Sequence, residues 1–124
     1  MVAGGVKLFE VANDTATAQV FKLGDMRTLG DMTVTVKSIS QQPSATVVTV
    51  TMNGVEGASA TEGWRLLAGG KVQSPLITPP SGIGVPCATT AATTVTTCVV
   101  AFPPSDGSVT VAYLRSGQQS EWAP

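Results

Sequence analysis

No histidine occurs in this chain, and that absence removes both the commonest general base and the triads built around it. Two cysteines without histidine also leave a zinc site short of soft ligands. Charge is scarce as well, at 12% of residues, with seven bases against eight acids. Lys7, Lys22, Arg27, Lys37, Arg65, Lys71 and Arg115 stand singly, so no basic stripe exists to displace counterions from a nucleic acid. Aromatics are few: two Trp, one Tyr and three Phe. No apolar run approaches the roughly 20 residues of a membrane-spanning helix. The opening MVAGGV lacks the charged start and apolar middle of a signal peptide, so export would imply a leader or anchor removed from this sequence.

What the chain has in quantity is Val and Thr, 17 of each, β-branched and stiff in the way that suits a pleated surface. Thirteen Gly and eight Pro supply turns, and the length of 124 residues fits one domain able to bury its own core. The most ordered stretch is 20–39, with two Gly-Asp turns followed by strict alternation. Met32, Val34 and Val36 fall on one side, and Thr33, Thr35 and Lys37 on the other. Ile39 breaks that alternation, which predicts a bulge or the strand's end.

Further strands are expected at 20–23, at 45–53, at 64–68 and 71–73 around a Gly69-Gly70 hairpin turn, at 95–102 and at 109–114. The dense apolar run at 95–102 predicts a strand in a sheet's centre. Residues 54–63 form a loop of small residues. Residues 74–86, with Pro75, Pro79, Pro80 and Pro86, form a long connection over the surface. Residues 1–19 are read as an arm or edge strand, and 20–124 as the domain. The whole predicts an all-β, immunoglobulin-like antiparallel β-sandwich of seven to eight strands, with a closed barrel as the alternative.

The stretch 20–39, with Lys-Leu-Gly-Asp, a second Gly-Asp and then Met-Thr-Val-Thr-Val-Lys-Ser-Ile, resembles a small immunoglobulin-like domain family of exported bacterial proteins and lipoproteins. That family includes the secreted mycobacterial immunogenic proteins. Val-Ala-Phe-Pro-Pro at 100–104, Tyr113 and Trp122 continue the resemblance. It implies a β-sandwich and export, and it brings no catalytic residue. The cysteine pair and the Pro-rich connection depart from the family pattern.

Cys87 and Cys98 flank ATTAATTVTT, a segment able to run out and back as a hairpin. A disulfide between them would close a short loop and imply an oxidising compartment; the alternative is two reduced, buried thiols. Asp25 and Asp31 read as turn residues rather than calcium ligands, because six or more oxygens are not in sight. A Ser and Lys pair such as Lys71 with Ser74 has the residue types of a nucleophile and its base, as would any Lys near a Ser in a hairpin.

The expectation is therefore an exported, non-enzymatic binding or cell-surface module, secreted or surface-located, without cofactor or metal. Its unknown protein or surface partner would meet loop residues Glu56, Glu62, Pro79, Pro80 and Ile83. Trp122 either joins that contact or staples the chain's end to the core. The alternative is a structural or decoration domain of a larger assembly, such as a phage or surface appendage. A ligand carrier with an internal cavity is the third reading.

Overall fold

The structure, a computed structural model, describes residues 20–124. The expected arm at 1–19, with Phe9, lies outside the described residues. Nine strands and no helix occur among them: β1 (Val20–Lys22), β2 (Met26–Leu29), β3 (Met32–Gln41), β4 (Thr46–Asn53), β5 (Trp64–Ala68), β6 (Lys71–Gln73), β7 (Thr96–Phe102), β8 (Val109–Arg115) and β9 (Gln118–Ala123). They form two sheets, in the orders β1-β9-β8-β5-β6 and β2-β3-β4-β7. The architecture is a β-sandwich with open sheet ends, not a barrel.

Alternation decides which residues meet between the sheets. Met32, Val34 and Val36 of β3, Val48, Val50 and Met52 of β4, and Val100 and Phe102 of β7 supply one inner face. Trp64 and Leu66 of β5, Val111 and Tyr113 of β8, and Trp122 of β9 supply the other. The aromatic centre is Trp64, with its ring centroid 4.6 Å from Tyr113 and 5.9 Å from Trp122. Each such ring buries roughly 150–250 Å², on the order of 4–6 kcal/mol before entropic costs. A few aromatics therefore suffice.

Several expectations are corrected. Of the two expectations at Ile39, the bulge is the one that holds, placed two residues earlier: Val36 pairs with Val50 and Ser38 with Thr49, so Lys37 is the extra residue and the strand runs on to Gln41. The bulge shifts the phase by one. Ile39 thereby returns to the core side and packs against it. Strands β2 and β9 were not expected, and β1 joins β9 in parallel, which departs from a wholly antiparallel fold. The hairpin at Gly69-Gly70 forms, with φ of 58° and 76°, a left-handed pair that side chains rarely adopt.

Strand β7 is not central. It pairs with β4 on one side and stands at the sheet's edge on the other. That edge is covered by the Pro-rich connection: the Leu76 amide donates to the Ala101 carbonyl at 2.8 Å, the Val99 amide to Val85 at 2.8 Å, and the Cys87 amide to Val99 at 2.9 Å. An open strand edge invites pairing with other chains, and prolines beside it stop the ladder from growing further.

A cleft between two braced loops as the candidate functional site

The disulfide organises this end of the molecule. Cys87 and Cys98 are bonded, with Cα atoms 4.9 Å apart, and both are buried. The bond fastens the end of the Pro-rich strap to the start of β7. The segment after Cys87 does not fold back on itself as a hairpin. It lies along the loop 54–63 instead, with the Gly57 amide donating to the Thr90 carbonyl, the Thr90 amide to Ala58 and the Ala60 amide to Ala88, each at 2.9 Å. The Thr90 hydroxyl donates to the Val55 carbonyl at 2.6 Å, which explains how a threonine is buried there.

Two loops, one bonded to the segment after Cys87 and the other to β7, therefore face each other across a cleft of about 510 Å³. Its floor is Cys87 and the β7 residues Val99 to Ala101; one wall is the strap, with Pro75, Leu76, Ile77 and Pro79. The opposite wall is polar, with Ser59, Thr61, Glu62 and Arg65. Ile77 is fully exposed at the rim, an apolar side chain held in water by a backbone stiffened by prolines. Gly63 allows the polar wall to turn: it has φ of 95°, and a Cβ there would meet the Leu114 carbonyl at 2.6 Å.

Of the residues expected to make contacts, Glu62 and Pro79 line this cleft. Glu56 is outside it, and its carboxylate accepts from the Ala92 amide at 3.2 Å, bracing the loop. Pro80 is half-buried beside it. Ile83 packs against Ala45, Val47, Val99 and Ala101 on the outer face of β4 and β7, so it holds the strap down. Trp122 is not a surface residue: it is wholly buried, and its indole N–H donates to the Asp25 carbonyl at 2.9 Å. It staples the chain's end to the β1–β2 turn.

No family model and no curated protein matches the chain. Among solved structures it is similar to the yjhA protein from Bacillus subtilis, with a TM-score of 0.64 and 13% identity over 84% of this chain and 98% of that one. At that identity the likeness is one of fold, and it agrees with the two-sheet β architecture described above.

The ionisable groups of the cleft are Glu62 and Arg65, whose guanidinium donates to the Trp64 carbonyl at 2.7 Å. Among the described residues no group of three or more His, Cys, Asp or Glu stands together. Lys71 and Ser74 lie three apart along an extended chain, which sends their side chains to opposite faces. Asp25 accepts from the Lys22 amide at 3.1 Å, the turn role expected of it. Asp31 instead reaches Arg115 at 2.8 Å. That hydrogen bond holds its carboxyl below the ordinary value and raises the guanidinium. Burial pushes the Tyr113 phenol up, with Arg115 pulling the other way.

Ser59, Thr61 and Ile77 lie in the two loops, 54–63 and 74–86, expected to carry the contact surface but were not singled out there, and Arg65 lies outside both. Ile77 carried a readable signal, an isolated isoleucine two residues before a Pro-Pro pair. Arg65 carried none, because only the pairing of β5 with β8 brings it to the cleft's edge.

Proposed function

We propose that the chain is an exported, non-enzymatic binding module, secreted or held at the cell surface, that captures an extended segment of a protein partner in the cleft between the two loops. The observation that carries this reading is Ile77, fully exposed beside an apolar strap and facing a polar wall. A rigid rim of that kind suits a bound peptide, since little ordering entropy is lost on the protein's side. The disulfide and the lack, among the described residues, of any helix long and apolar enough to cross a membrane are compatible with export. The resemblance to exported immunoglobulin-like domains supports the same reading.

Panning a displayed peptide library on the oxidised protein tests it. Enriched peptides should carry apolar residues, lose roughly tenfold or more in affinity for Ile77→Asp, and bind Lys37→Glu unchanged. Peptides indifferent to Ile77→Asp, or no enrichment at all, would overturn the assignment.

A further inference from the structure

The outer face of the five-stranded sheet carries apolar side chains with no strap above them, of which Val72 and Leu114 are exposed and Ala112 is buried among its taller neighbours. Leu67 and Val72 pair across β5 and β6, and Ala112 and Leu114 follow on β8; together they line a hollow of about 300 Å³. Val72 is 67% exposed and Leu114 45%. The corresponding residues of the other sheet lie under the strap.

We infer that this face is where a second copy of the chain docks, around a two-fold axis parallel to β8. The decisive feature is one row across the sheet: Arg65 of β5 pairs with Ala112 of β8, and Ala112 pairs with Glu121 of β9. Strands lie about 4.8 Å apart, so a base and an acid flank the small residue symmetrically, roughly 10 Å from each other. Rotation about an axis along β8 exchanges left for right within a row. Arg65 then faces the second copy's Glu121 on one side, Glu121 faces its Arg65 on the other, and the axis passes over Ala112.

A neighbouring row agrees. Leu114, exposed on β8, meets Leu114 of the second copy on the axis. An axis lying across the strands would instead set Arg65 on Arg65 and Glu121 on Glu121, so the charges choose between the two isologous arrangements. Both groups have capacity to spare: Arg65 uses Nη1 on its own strand's carbonyl, and Glu121 uses Oε2 to accept from Gln119. Ala112 is only 2% exposed, so the taller side chains beside it and Leu114 carry the contact, with the sheets at about the 10 Å spacing of packed sheets.

The strands, of 3, 6, 7, 5 and 3 residues in sheet order, give roughly 380 Å² of flat footprint per copy and about 760 Å² for the pair, which is below the ~1,200 Å² of standard interfaces and in the class of weak, transient ones. Association should be reversible and in the micromolar range. Sedimentation velocity on the oxidised protein at low salt, from about 1 to 500 μM, tests this. The expected result is a monomer–dimer shift, abolished by Leu114→Glu and weakened roughly tenfold by Arg65→Glu or by Glu121→Arg alone. The double charge exchange, Arg65→Glu with Glu121→Arg, should restore it. Circular dichroism melting confirms that each variant is folded. A monomer at every concentration would overturn the inference, and so would a dimer for which the exchanged pair is no better than either single variant.

Discussion

The two outer faces of the sandwich solve one problem differently. On β4 and β7 and just before β4, Ala45, Val47, Val99 and Ala101 form a cluster outside the main core, and the chain covers it with Leu76 and Ile83 of its own strap. On β5, β6 and β8, Leu67, Val72, Ala112 and Leu114 point outward with no strap above them. The difference is one of chain length between strands: β6 and β7 are joined by 22 residues, whereas β5 and β6 are joined by two glycines. Only a long connection can return over a face. The short one leaves its apolar residues to a second molecule.

If both faces rest on one core, damage to that core should ignore the distinction. Trp122→Ala removes a fully buried indole and its hydrogen bond to the Asp25 carbonyl. It should lower stability by about 3–5 kcal/mol in urea denaturation, whichever face is occupied.

The covered face is more specifically vulnerable. Reducing Cys87–Cys98, or the paired Cys87→Ser and Cys98→Ser variant, frees the strap's end from β7. The expected loss is about 2–3 kcal/mol, since the bond closes a short loop, and it should accompany increased proteolysis within residues 74–86. Leu76→Ser is a milder cut at the same place, roughly 1–2 kcal/mol for a partly buried side chain. On the uncovered face, Leu114→Glu should leave the melting temperature of dilute protein unchanged while removing the dimer. A stability loss for Leu114→Glu equal to that for Leu76→Ser would erase the contrast between the faces.

Legibility in the sequence followed the same division. Strand β3, before its bulge, showed clean alternation, and β4 and β8 still alternated although part of their outer faces is apolar, Val47 under the strap and Ala112 among its neighbours. Strand β9 hid, because QQSEWA places only Ser120 and Trp122 inward, and a serine in a core position breaks the pattern. Strand β2 has four residues between two Gly-Asp turns, too few to show a period. The apolar run of β7 suggested a central strand because both its faces are covered, yet one cover is a loop. Glu62 and Pro79 were found by looking for loops on a rigid scaffold. Their meeting across a cleft depends on one loop bonding to the segment after Cys87 and the other to β7, a long-range arrangement no local pattern encodes.

The smallest effect expected is at an ion pair between the two sheets. Asp31, in the β2–β3 turn, accepts from Arg115 at the end of β8. Its carboxyl titrates below the ordinary 3.8 because the guanidinium hydrogen bond favours the charged form. Between that ordinary value and the lowered one, the unfolded chain binds more protons than the folded one, so stability falls as the pH falls. The contribution is complete above about pH 4 and disappears once the native carboxyl is protonated. Asp31 is 63% exposed, so solvent and salt screen most of the attraction. Denaturation of wild type and Asp31→Asn should therefore differ slightly at neutral pH and low salt and converge in acid. Curves that stay apart below the native titration would show that Asp31 shapes the turn itself, and that the sheets are joined there by backbone rather than charge.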